Sequence, residues 1–433
     1  MPHHLKDLYE RSIANLTSDE QQQKVFNLLV KNSDVFSKDG MDMGKTDLVK
    51  HHIPTTSEVP IKSRPYRAPH WKKSEIDRQI QSFVDKGLLE ESDSAWSSPC
   101  LLVNKKDGSY RVVCDYRKLN AITLCNAQPI PRIQDNLESL GGAKLFSCLD
   151  LNQGFYQVEL DKNSREKSAI VTPSGRLLQW TAMPMGLSGS PGTFEKLVEK
   201  VFQGLQWEIL LLYIDDIIVF GSTFEEELDR LEMVFDRLRK AGLKLKAKKC
   251  ILFAAEVEFL GHTISENGVS TDTKKIECIK NWPVPCNVSE VHSFFGLASY
   301  YRRFIRDFAS IAKPLTELTR KHAVFVWTPE CQAAFAELKG RLISAPVLSF
   351  PSEHGQFILD TDASGTGIGA ILSQESDEVE HPVSYASRVL SKPERNYCVT
   401  RRELLAVVNY VKYFKHYLLG RKFTIRTDHA SLT

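Results

Sequence analysis

Ile209-Leu210-Leu211-Leu212-Tyr213-Ile214-Asp215-Asp216-Ile217-Ile218-Val219-Phe220 is a strongly apolar, β-prone run broken at its centre by two adjacent carboxylates. Two charges in such surroundings are costly unless a cation meets them. The pattern predicts a hairpin of two buried strands, with the acid pair held at the tight turn between them. A solvated turn is the ordinary explanation of a lone Asp-Asp, and the two complete apolar strands around this one argue against it. Hard carboxylate oxygens suit Mg²⁺ or Mn²⁺, so a divalent ion is the expected occupant.

A further acid occurs in a comparable setting. Leu145-Phe146-Ser147-Cys148-Leu149-Asp150-Leu151 reads as a short apolar strand ending on Asp150, followed by a turn at Asn152-Gln153-Gly154-Phe155 and an alternating segment, Tyr156 to Leu160. Taken alone, Asp150 reads better as the cap of a following helix. Taken with Asp215 and Asp216, it predicts convergence on two ions about 3.5–4 Å apart, the spacing of in-line phosphoryl transfer.

Tyr213-Ile214-Asp215-Asp216, Leu149-Asp150-Leu151-Asn152-Gln153-Gly154-Phe155 and Met183-Pro184-Met185-Gly186-Leu187 together resemble the palm of a reverse transcriptase. The match is to the Pol polyprotein of gypsy-like long-terminal-repeat retrotransposons, and it runs from near Leu5 to the far C-terminus. The resemblance implies an α+β fold: a right-hand polymerase of fingers, palm and thumb, followed by a truncated α/β ribonuclease H-like domain. The expected boundaries are a linker-like segment to residue 59, fingers and palm at 60–240, thumb at 241–312, connection at 313–352 and a partial ribonuclease H-like domain at 353–433. The implied reaction adds deoxynucleotides to a primer 3′ end on an RNA or DNA template. Its catalytic and metal-binding residues are Asp150 and Asp215, supported by Asp216, with two Mg²⁺ or Mn²⁺ ions per active site. Expected partners are the RNA template, DNA primer, RNA–DNA hybrid and deoxynucleoside triphosphates, with protease and integrase elsewhere in the full element. No Asp-Thr-Gly or Asp-Ser-Gly triplet of a protease occurs in this sequence. The expected location is cytoplasmic, in virus-like particles.

Composition is compatible with this. The chain has 433 residues, 42% of them hydrophobic, which is enough for sizeable cores. A net charge of +2 means that nucleic acid must be met by local patches. The foremost patch runs from Arg237 to Lys249 and includes Lys246, Lys248 and Lys249, after the acidic Glu225 to Asp229. It reads as a solvated face or as a phosphate contact. Nine cysteines without a CxxC pair point to a reducing compartment and no structural zinc. No apolar run has membrane-spanning length.

Between residues 1 and 59 only Gln22 to Val30 reads as an amphipathic helix. Ser74 to Gly87 reads as another helix, and Pro99 to Val103 and Tyr110 to Cys114 as a hairpin around Lys106-Asp107-Gly108-Ser109. On the resemblance, Lys106 and Arg111 clamp the incoming triphosphate. Phe155, otherwise core packing, becomes a steric gate against the ribose 2′-hydroxyl. Met185 and Gly189 depart from the family pattern, which commonly has Phe or Gln and then Asn. Met185 and Gly186 are expected at the nucleotide, where Gly186 permits close backbone approach.

Phe224 to Ala241 predicts a long helix, closed by Gly242. Phe259 to Ile264 resembles the primer grip, with Gly261 at the nucleic acid and no chemistry for His262. Lys274 to Trp282 and Val288 to Ala309 predict thumb helices split by Pro283 and Pro285. Tyr300-Tyr301-Arg302-Arg303-Phe304-Ile305-Arg306 interleaves aromatics and cations, predicting either a duplex-tracking surface through Arg302 and Arg303 or a helix with one apolar and one basic face.

After a connecting helix near Pro329 to Leu342, Gln356 to Ser364 reads as a strand with Asp360 and Asp362 on one face. Two more strands, a helix from Thr400 to Leu419 bearing Glu403, and a strand ending on Asp428 follow. This order resembles ribonuclease H, whose metal-binding catalytic carboxylates match Asp362, Glu403 and Asp428. Asp360 competes with Asp362, and the Thr-Asp-Ala-Ser match favours the latter. The end at Thr433 implies an incomplete domain with weak or no hybrid cleavage. Two other readings remain open: a decayed, nucleic-acid-binding product without catalysis, and a stand-alone nuclease.

Overall fold

The two apolar runs form the expected hairpin: Leu210–Tyr213 and Asp216–Gly221 pair antiparallel, with Tyr213 opposite Asp216. Only Ile214 and Asp215 lie in the turn, and Ile214 takes a left-handed φ of 55°. A β-branched residue there is strained, by about 1–3 kcal/mol. The turn removes Asp215 from the strand, so alternation does not force it away from Asp216.

In this computed structural model all residues are described except 15, 41, 106, 107, 130, 377 and 433. The chain forms two units, Met1–Asn136 with Lys144–Ala255, and Leu137–Ala143 with Glu256–Thr433.

In the first unit the hairpin belongs to a four-stranded sheet ordered Ile251–Ala254, Leu145–Asp150, Asp216–Gly221, Leu210–Tyr213. Helices Ser190–Val201 and Phe224–Lys240 help to cover it, burying Phe194, Leu197, Leu231 and Phe235 in one core with Leu149 and Ile217. A five-stranded sheet includes the Ser98–Asn104 and Tyr110–Cys114 hairpin, with its own core around Trp96, Tyr116 and Trp180.

Residues 1–59 are not a plain linker. Helices Lys6–Ile13 and Asp19–Lys31 place Leu5, Leu8, Val25, Leu28 and Leu29 in the core shared with the acid-bearing strands. Thr46–His51 then pairs in parallel with Val158–Leu160. The apolar faces of these short helices become core only because a distant part of the chain covers them.

The second unit holds a three-stranded sheet, Glu256–Phe259, His262–Ser265 and Gly268–Thr271, and a four-stranded one ordered Val379–Val389, Gly367–Ser376, Gln356–Ala363, Phe423–Thr427. The last pair is parallel, and helix Val399–Tyr413 packs on this sheet through Ala406 and Tyr410. The helix expected from Val288 to Ala309 ends at Tyr300 and is followed by a 3₁₀ turn, Arg302–Phe304, and a short helix, Phe308–Ile311. Asp307, the residue just before that short helix, is left-handed, with φ 58°.

Candidate metal centres

Asp150 ends its strand directly opposite Asp216, a position where facing residues project to the same side of the sheet. Asp215 follows from the turn, and its Oδ1 is buried without a hydrogen-bond partner. Gly154 supplies the remaining wall: a Cβ there would stand 3.4 Å from that oxygen and 3.0 Å from the Phe194 ring. Burial raises the pKa of Asp215 to about 6, helped by the charges of Asp216 and Asp150 and opposed by Lys249. Asp216 is raised as well, by desolvation and then by Asp150. Converging hard oxygens, one of them orphaned, fit a divalent cation.

Lys249 donates to Asp150 Oδ2 at 2.7 Å. The sequence placed this lysine among nucleic-acid contacts, and the structure instead turns it into the acid site, where it relieves repulsion among three carboxylates. Its loop is fixed from the N-terminal segment, since Arg11 donates to the carbonyls of Cys250 at 2.8 Å and Ala247 at 3.0 Å. Lys246 and Lys248 are exposed.

The other expected nucleotide contacts fall on neighbouring elements. Arg111 points its Nη1 at the Met185 sulfur, 3.7 Å away. Gly186 takes φ +97° and its carbonyl accepts from Asn120 at 2.9 Å, while Asn120 in turn accepts from the Ser188 amide. Phe155 is partly buried, its ring 5.2 Å from Phe194 in an edge contact. Lys106 lies outside the described residues. The absent side chain at Gly189 also has an explanation, because a Cβ there would meet His51 Cε1 at 3.2 Å. His51 is buried, bonded through Nδ1 to Thr193 at 2.8 Å, and kept neutral by burial, which lowers its pKa to about 4.

In the second unit Asp362, Glu403 and Asp428 bring ligand atoms within 4.8 Å of one another. Among the described residues no other such group of three occurs, so the palm acids are less tightly gathered. Glu403 is 4% exposed and its Oε2 has no partner. Its pKa is raised by burial, then by Asp428 and Asp362. The competitor Asp360 is occupied: Arg426 grips both of its oxygens, at 2.6 and 2.8 Å. The trio also has the donor chemistry for a divalent cation.

The family model "Reverse transcriptase (RNA-dependent DNA polymerase)" matches residues 103–264, and "RNase H-like domain found in reverse transcriptase" matches residues 327–425. The retrovirus-related Pol polyprotein from transposon 412 of Drosophila melanogaster is 38% identical over 92% of this chain, and that from transposon gypsy 33% over 96%. The chain matches the reverse transcriptase and ribonuclease H-like region of retrovirus-related Pol polyproteins. It spans 33% and 41% of the length of those two relatives. The structure of foamy viral protease-reverse transcriptase dRH in complex with double-stranded DNA superposes with a TM-score of 0.89 at 25% identity, covering 98% of this chain and 74% of that one. The same viral protein in complex with an RNA/DNA hybrid gives 0.83 at 25% identity, covering 98% and 57%. The fold is thus a reverse transcriptase hand followed by a ribonuclease H-like domain.

One expectation changes in the structure. Arg302 donates to the Ser387 carbonyl at 2.6 Å and Arg303 to that of Val383 at 3.3 Å, both on one strand of the ribonuclease H-like sheet. They fasten a loop to that sheet and are not arrayed for a duplex. Gly261 has φ +72° beside Leu260 at +48°, both central residues of a tight hairpin turn. Tyr300 and Tyr301 donate to the carbonyls of Leu260 and Gly261, so the turn is braced by the aromatic motif. His262 is buried among these rings, with its pKa lowered to about 4. Arg11 and His51 were missed in the sequence, which marks neither of them by local pattern.

Proposed function

We propose that this chain is an RNA- and DNA-directed DNA polymerase that extends a primer 3′ end with deoxynucleotides. The observation that carries the reading is the pairing of Asp150 with Asp216 beside an orphaned, buried Asp215 oxygen. Two Mg²⁺ or Mn²⁺ ions, held by Asp150 and Asp215 with Asp216 beside them, would activate the 3′-hydroxyl and stabilise the leaving pyrophosphate. The chain's own residues do the positioning. Arg111 and Met185 form one patch for the triphosphate, with Gly186 held in place by Asn120. Phe155, wedged against Phe194, is set to exclude a 2′-hydroxyl. Lys249 must leave Asp150 when the cations enter. Template and primer are the substrates this reading requires, in line with the duplexes bound by the foamy viral relatives.

We further propose that Asp362, Glu403 and Asp428 hold divalent cations for hydrolysis of the RNA strand of an RNA–DNA hybrid. A decayed, merely binding product finds no support at Gly189, where the missing side chain is replaced by the His51 ring. Primer extension on an RNA template with Mg²⁺ tests the first reading: wild type extends and Asp215→Asn loses at least a hundredfold in rate. Equal extension by both would overturn it. For the second, Asp362→Asn should abolish hybrid cleavage while leaving extension intact.

A further inference from the structure

Beside the Asp362–Glu403–Asp428 cluster a cavity of about 450 Å³ is lined by Asp362 and Asp428, and also by Arg306, Asp307 and Arg426. Its two cations differ in occupation. Arg426 is committed to Asp360 and Glu380, with four contacts between 2.6 and 2.8 Å. Arg306 makes no side-chain hydrogen bond among the described residues. Its nearest charge is Asp307, Nε to Oδ2 at 3.6 Å, and its side chain is 58% exposed.

The segment that carries Arg306 is fastened on both sides. Arg302 and Arg303 hold it to the carbonyls of Ser387 and Val383, and the Ala309 amide donates to Ser387 Oγ at 2.9 Å. Asp307 turns the chain in the left-handed region, and its Oδ1 lies 2.7 Å from where a Cβ on Gly369 would be. Gly369 is the cross-strand partner of Asp362. A cation is therefore delivered from residues outside the matched ribonuclease H-like segment to the strand pair that bears Asp362.

We propose that Arg306 is a substrate-positioning residue that binds a backbone phosphate of the RNA–DNA hybrid next to the phosphodiester presented to the three acids. The proposal rests on the reading of that cluster as a hybrid-cleaving site. Three carboxylates repel a polyanion unless fixed cations lie beside them, and a guanidinium fork matches two phosphate oxygens. Such a contact sets register without reading sequence.

The test compares wild type, Arg306→Ala and Arg306→Lys as full chains, with thermal melting to verify folding. In hybrid cleavage, Arg306→Ala should raise KM about tenfold with kcat within twofold. Its salt slope of log(kcat/KM) should be shallower by about 1, and Arg306→Lys should recover part of the loss. Bound hybrid should also protect Arg306 from phenylglyoxal in wild type and in Asp362→Asn, read by mass spectrometry. Wild-type KM and salt slope in Arg306→Ala, or no protection, would overturn the proposal. If wild type cleaves no hybrid, the cleavage reading fails, and protection alone then decides for or against Arg306.

Discussion

Glu227 offers a direct measure of how tightly the acid-bearing sheet is held. It sits on helix Phe224–Lys240, fully buried, with its carboxylate against Gly221 at the end of the Asp216 strand. Burial raises its pKa from the ordinary 4.5 to about 8, offset only in part by Ser147 and Arg230. A carboxyl with a raised folded pKa is neutral in the fold and charged in the unfolded chain between those values. Its contribution is intact below pH 4.5 and is lost as the pH climbs to about 8. At about 1.4 kcal/mol for each pH unit, the loss approaches ~5 kcal/mol by pH 8. Glu227→Gln keeps the shape and removes the titration. Urea denaturation at pH 5, 6, 7 and 8 should show similar stability for both chains at pH 5. The variant's advantage should then grow by about 1 kcal/mol or more with each pH unit. Parallel pH profiles for the two chains would refute the reasoning, because they would mean that Glu227 ionises in the fold as freely as in the unfolded chain.

Protons compete with cations at Asp215, whose pKa of about 6 lies above the ordinary range; apparent Mn²⁺ affinity, followed by electron paramagnetic resonance, should fall about tenfold per pH unit below 6 and level off above 7. Gly189→Asn should destabilise the first unit by about 1–3 kcal/mol through collision with His51, and His51→Ala in the same chain should relieve part of that cost in thermal melting; strictly additive effects would show that the two positions do not touch. Leu8→Ala should cost about 2–5 kcal/mol if the N-terminal helix is core, measured by the same melts. Phe155→Val should admit ribonucleotides in primer extension, and unchanged sugar discrimination would remove Phe155 from the gate role.

The acids were legible and most of the cations were not, for one physical reason. A carboxylate in an apolar strand is costly wherever the chain goes, so Asp215 and Asp216 announce a ligand from local sequence, and Asp150, which alone reads as a helix cap, joins them only through that pair. Asp362, Glu403 and Asp428 came from the resemblance to ribonuclease H, in which the Thr-Asp-Ala-Ser match already set Asp362 above Asp360, and the structure adds a physical reason, since Arg426 binds Asp360. A lysine or arginine can lie in water at little cost, and its role is set by what distant residues bring to it. Lys249 meets an acid 99 positions away, and Arg302 and Arg303 meet carbonyls 85 and 80 positions away. The aromatic-basic stretch at Tyr300–Arg306 therefore reads alike whether it tracks a duplex or fastens two elements. Residues 1–59 escaped for a related reason, since two short amphipathic helices look solvated until the palm covers Leu8 and Leu28. It follows that a cation in this fold is best judged by its unsatisfied donors. By that criterion Arg306 stands apart from Arg302, Arg303 and Arg426, each of which is already bonded to the protein.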